Sequence, residues 1–190
     1  MQKNTDFKLF LDFFPTIDLP VLLGEDEHHV FSAENETLPL PLIRKYILNI
    51  NEGSINGEMN DENSAETNDN SVEVLEDDTN DLVEYIACFQ ISNTENHHAL
   101  VYWKADLLEY EYVLATFDKN GKRIDAKPIG GMRAEGQKVH QSVTQIDEDG
   151  FVIIAEGTAH YEGTATTDFD AEEGKIRRLE LRNDGSILKL

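Results

Sequence analysis

From about residue 84 to the end of the chain, apolar side chains recur at every second position, the period of a β-strand. Over residues 97–103, Ala99, Val101 and Trp103 fall on one face and Leu100 and Tyr102 on the other, the pattern of a central strand covered on both sides. Leu108, Tyr110, Tyr112 and Leu114 then share a face. The opposite face reads Glu109, Glu111, Val113, Ala115, Phe117 and passes from wet to dry midway. A sheet covered by a second layer over part of its area, or one that curls toward a barrel, produces such a change. Further strands are predicted at 124–129, 139–146, 151–161, 175–181 and 186–190.

Three similar segments punctuate these strands: Phe117-Asp118-Lys119-Asn120-Gly121, Ile146-Asp147-Glu148-Asp149-Gly150 and Leu181-Arg182-Asn183-Asp184-Gly185. Each ends an alternating run with a side chain that tolerates left-handed backbone and then a glycine that adopts it freely, which is hairpin chemistry. Strands joined in sequence by such turns make a meander. Ahead of them, residues 38–50 predict one short helix, with Pro41 in its first turn and Leu42, Ile43, Tyr46, Ile47 and Ile50 along one face that packs on the sheet. Over residues 7–31, Pro15, Pro20 and Gly24 interrupt the apolar clusters, and short strands or irregular segments along the core are expected.

Between the helix and the β region the composition shifts. From Tyr46 to Trp103 there is no lysine or arginine, and residues 51–80 are rich in Asn, Glu, Asp, Ser and Gly. Such a stretch cannot repay the entropy of ordering by burying surface, so it is expected to be a flexible acidic insert. The expected organisation is an N-terminal segment over 1–50, the insert over 51–80, and a β-meander over 81–190 in the same domain as 1–50. The fold class is mainly β: an antiparallel meander sheet, curled or two-layered, with one short N-terminal helix.

The chain carries 38 acidic and 16 basic residues, a formal charge of −22, which repels nucleic acid and anionic membrane surfaces. The nearest thing to a basic patch, Lys119, Lys122, Arg123 and Lys127, is diluted by Asp118 and Asp125 and reads as turn solubility. No apolar run has transmembrane length, so no membrane partner is expected. Cys88 is the single cysteine, which excludes an intrachain disulfide; with Asp6, Asp12 and Asp18 breaking up the N-terminal apolar stretch, a cytoplasmic location is expected.

Candidate chemistry is sparse. His28-His29 and His97-His98 are adjacent pairs that point to opposite faces of a strand and supply no pair of ligands to one metal ion. Glu109 and Glu111 share a strand face, as Asp168 and Asp170 do if extended, and paired acids can divide acid and base duties. The Asp168–Gly174 segment misplaces the glycine of a calcium loop, whose closing acid is replaced by Leu179. Cys88 reads as a small core hydrophobe, with no nearby positive charge to activate it. The glycines of residues 129–136 lack the spacing and Lys-Ser/Thr of a phosphate loop and mark a wide turn or bulged strand end. No catalytic, cofactor or metal site is predicted.

The runs Phe14-Pro15-Thr16-Ile17-Asp18-Leu19-Pro20, Ala99-Leu100-Val101-Tyr102-Trp103-Lys104-Ala105 and Thr116-Phe117-Asp118-Lys119-Asn120-Gly121-Lys122-Arg123-Ile124-Asp125 resemble those of uncharacterised β-rich proteins of Bacteroidetes-type bacteria. The resemblance implies a bacterial source and a meander-like sheet, and carries no activity, cofactor or catalytic residue.

Two classes of function follow. In the first, an acidic binding or inhibitory protein of immunity type meets a basic protein partner, using Asp77, Asp78 and Asp81 with Tyr102, Tyr110 or Tyr112 as anchors. The second is a small-ligand carrier or hydrolytic enzyme with a pocket in the curled sheet, lined by His97, Trp103, Tyr110 and His140. A structural or accessory role is the remaining alternative.

Overall fold

Each acid-and-glycine segment closes a hairpin in the computed structural model, which describes residues 3–24, 30–31, 33–50, 83–92, 94–162, 165–166 and 170–190. The expected insert at 51–80, with Asp77, Asp78 and Asp81, lies outside the described residues, as do His28, His29 and Asp168. Gly121, Gly150 and Gly185 have φ of 84°, 84° and 85°, the left-handed backbone that each reversal requires. The aspartate side chain tightens each turn. Asp118 Oδ1 accepts from the Asn120 and Lys122 N–H groups, Asp147 Oδ1 from those of Asp149 and Phe151, and Asp184 Oδ1 from that of Ser186.

These turns connect a mainly antiparallel sheet that does not close. Its long strands are β3 (Glu84–Ile91), β4 (His98–Ala105), β5 (Glu109–Phe117), β6 (Arg123–Glu135), β7 (Lys138–Ile146), β8 (Phe151–Glu162) and β10 (Asp170–Leu181). The short strands are β1 (Thr16–Ile17), β2 (Val21–Leu23), β9 (Ala165–Thr166) and β11 (Ile187–Lys189). The spatial order is β1-β3-β4-β5-β6-β7-β8-β10-β11, with β2 on β7 and β9 on β8. Among the described residues only β1 with β3 is a parallel pair. From β3 to β8 sequential neighbours pair, which is the expected meander.

The sheet folds over at β6. The first half of this strand pairs with β5 alone, and β7 joins only at Met132–Glu135. Beyond that point Thr144, Gln145 and Ile146 of β7 pair instead with β2. The break falls at Gly130 and Gly131, both with φ of 150°, where a side chain on Gly131 would run into the Tyr110 carbonyl. These glycines therefore lie within a long bent strand beside a register shift between Gly130 and Pro128, which fits the bulge alternative, and the turn is made further on, at Gly136 (φ 61°).

Two apolar clusters result. One lies inside the fold, where Val101, Trp103, Tyr112 and Leu114 of β4 and β5 face Ile146, Val152, Ile154 and Leu179 of β7, β8 and β10. The other covers the outer face of β3–β5 with α1 (Lys3–Leu11) and α2 (Leu40–Leu42), the latter running into a π-helical turn over Ile43–Ile47. Phe10 is fully buried there, its ring stacked on Tyr46 at 4.7 Å. The helix α1 corrects the expectation of strands or irregular chain near Phe7: Phe7 and Phe10, three apart, share a helical face that docks against Phe117. The second helix buries Ile43, Tyr46 and Ile47 as expected, but it stops earlier, capped at Leu48 just before Asn49 (φ 58°), leaving Ile50 exposed.

Candidate functional site

The wet-to-dry change along β5 is explained by where its outer face lies. Val113, Ala115 and Phe117 sit under the helices, whereas Glu109 and Glu111 border an open groove of about 800 Å³. Register shows how the groove is built, because residues directly paired across strands share a face. One row runs Glu109, Arg133, His140, Thr158 across β5, β6, β7 and β8. The next row is interrupted: Glu111 pairs with Gly131 on one side of the break in β6, and Ser142 pairs with Glu156, and Glu156 with Lys175, on the other. A third joins Thr144, Ile154 and Arg177 and marks the floor, below which Ile146, Val152 and Leu179 enter the core.

Side chains fasten the floor where the main-chain ladder is broken. Ser142 Oγ accepts from Gly131 N–H at 2.7 Å and donates to Gly131 O at 3.1 Å, and Thr144 Oγ1 donates to Ile129 O. With no side chain on Gly130 or Gly131, these hydroxyls lie directly against β6 and the cavity stays open. The charged groups are held in turn. Arg177 Nε donates to Glu156 Oε1 at 2.6 Å, Arg133 Nη2 to Glu135 Oε2 at 3.0 Å, and His140 Nε2 lies 3.5 Å from the same Glu135 oxygen. His140 Nδ1 is 3.2 Å from Thr158 Oγ1.

Tyr110 and His140, two of the four residues named for a pocket, both line this groove. Trp103 stands behind it, edge-on to Tyr110 at 5.6 Å, and is a core residue. His97 lies elsewhere, 3% exposed and packed against the Gly185 turn. Burial lowers the His97 pKa, as does Lys119, against the opposing effects of the Asn183 backbone and the Asp184 charge. The tyrosines named as partner anchors, Tyr102, Tyr110 and Tyr112, are 6%, 7% and 2% exposed. Burial pushes the Tyr102 hydroxyl well above its usual pKa, helped by Tyr85 and Glu111. Cys88 is fully buried and its thiol pKa is driven up by desolvation, so it offers no thiolate.

Arg133, Ser142, Glu156, Thr158, Lys175 and Arg177 were not singled out from the sequence, although a signal exists. In β7 the inward positions run His140, Ser142, Thr144, Ile146; in β8, Val152, Ile154, Glu156, Thr158; in β10, Lys175, Arg177, Leu179, Leu181. All three strands are polar at one end of the inward face and apolar at the other, and antiparallel register aligns the polar ends. Among the described residues no cluster of three or more His, Cys, Asp or Glu is arranged to hold a metal ion, and no helix is long and apolar enough to cross a membrane. No family model, curated protein or solved structure matches the chain.

Proposed function

We propose that the protein is a binding protein that holds a small polar ligand in the groove across β5–β8 and β10. The observation that carries this reading is the alignment of three polar strand ends on one concave face. A cavity of about 800 Å³ suits a small molecule, and its polar, charge-bearing walls suit a polar one. The Arg177–Glu156 and His140–Thr158 contacts fix wall side chains in place, which lowers the ordering cost of binding. The tyrosines named as anchors for a basic partner are packed in the two apolar clusters, so the groove is favoured over a docking face.

Replacing half-exposed His140 with tryptophan fills the groove from its centre. Screened by thermal shift against amino acids, short peptides, sugars and small organic acids, the wild-type protein is expected to show saturable stabilisation by one chemical class. The His140→Trp variant is expected to lose that stabilisation while keeping its own melting temperature within a few degrees. A screen without a saturable hit, or hits that stabilise the variant equally, would sink the reading.

A further inference from the structure

Charge is distributed unevenly across the groove. Its β5 margin carries Glu109 and Glu111, and its β10 margin carries Lys175 and Arg177. The charges between them are already committed, Glu156 to Arg177 at 2.6 Å and Arg133 to Glu135 at 3.0 Å. Glu111 stands between Gly131 of β6, which has no side chain, and Lys104 of β4, with which it forms no ion pair, and Lys175 stands opposite Glu156, whose carboxylate is taken by Arg177. Among the described residues neither the Glu111 carboxylate nor the Lys175 ammonium makes a hydrogen bond or ion pair. An acceptor-only group at one margin and a donor-only group at the other select a ligand with a cation at one end and an anion at the other.

The separation sets its length. Four inter-strand steps lie between β5 and β10, roughly 19 Å along the sheet at ordinary strand spacing. On a concave face the straight-line gap is shorter than this, and three or four extended residues span roughly 10–14 Å. His140 and Thr158, midway, offer both donors and acceptors to the amides of such a chain. We propose that the ligand is a short peptide with free termini, its ammonium at Glu111 and its carboxylate at Lys175; the assignment rests on the groove being a ligand site.

Tetra-alanine, its N-acetyl form, its C-terminal amide and the doubly capped peptide are the probes, titrated by calorimetry at low salt into wild type, Glu111→Gln and Lys175→Gln. Both substitutions leave the described hydrogen bonds and ion pairs intact, and circular dichroism checks their folding. Free tetra-alanine is expected to bind wild type, and N-acetylation or Glu111→Gln to weaken binding at least tenfold. Once one of these changes is made, the other is expected to add little, since both remove the same contact. Amidation and Lys175→Gln are expected to behave as the matching pair. Capped peptide binding as tightly as free peptide overturns the assignment. So does the absence of peptide binding where a sugar or organic acid binds wild type but not His140→Trp; in that case the groove reading stands. If no class binds, both fall together.

Discussion

At the scale of single residues, His97 shows what burial does to a titratable group. Its ring is 3% exposed against the Gly185 turn, and Lys119, which donates to the His97 carbonyl at 3.0 Å, adds positive charge nearby. Desolvation and Lys119 disfavour the imidazolium more than the Asn183 backbone and Asp184 favour it, so the folded pKa lies below the ordinary 6.5. Below about pH 6.5 the unfolded chain therefore binds a proton that the folded one resists. The stability due to neutral His97 is complete above that pH and is lost as pH falls toward the folded pKa. Urea denaturation from pH 7.5 downward should show stability declining by at most about 1.4 kcal/mol per pH unit on this residue's account. His97→Gln should flatten the slope in that window; an unchanged slope would assign the pH dependence to other groups.

At the scale of elements, the sheet is held where hydrogen-bond ladders are missing. β11 pairs with β10 on one side, and on its other side the Asp125 carboxylate reaches over from β6. Asp125 Oδ2 accepts from Ile187 N–H at 3.0 Å and Oδ1 from Ala126 N–H at 2.8 Å, with Lys127 at 3.2 Å. Desolvation raises the Asp125 pKa, but these bonds outweigh it and hold the pKa below the usual 3.8. Thr116 completes the connection, donating to Gly185 O at 2.6 Å while accepting from Asp125 N–H at 3.1 Å. Asp125→Ala should cost about 1–3 kcal/mol by leaving the Ile187 N–H without its acceptor. Hydrogen exchange should show faster exchange at residues 187–189 than in the Phe151–Ile154 part of β8; uniform exchange across both would contradict the clamp. How far such features can be read from the sequence depends on their range. The hairpins were legible because Asp118, Asp147 and Asp184 act on backbone within four residues of themselves. The first helix was not, because Phe7 and Phe10 are flanked by Leu9 and Leu11 and only docking on Phe117 decides which face is buried. The groove joins residues from five strands, and only register brings Glu109 into line with Thr158. Its polar-to-apolar gradient was present along each strand but needs that alignment to become a site.

At the scale of the whole molecule, a charge of −22 and a groove selective for opposite terminal charges should respond to salt in opposite directions. Several cations are engaged in specific contacts, Lys45 with Asp6 at 2.8 Å, Lys127 with Asp125 at 3.2 Å and Arg177 with Glu156 at 2.6 Å, while acids outnumber bases by 38 to 16. The folded state therefore concentrates like charge that the unfolded chain spreads out, and this repulsion acts over distances comparable with the screening length. That length is about 30 Å at 0.01 M ionic strength and about 10 Å at 0.1 M, so added salt suppresses the long-range repulsion before it weakens the short, partly buried pairs. Melting temperature is expected to rise between about 0.01 M and about 0.3 M sodium chloride, with potassium chloride giving the same curve if screening rather than ion binding is the cause. Over the same range a ligand held by its terminal charges in an open groove is expected to bind more weakly, since those contacts are exposed to the same ions. Measuring both quantities in one salt series separates the two fields. A melting temperature that falls with salt would mean that the specific pairs outweigh the repulsion, and an affinity indifferent to salt would mean that terminal charge is not what the groove reads.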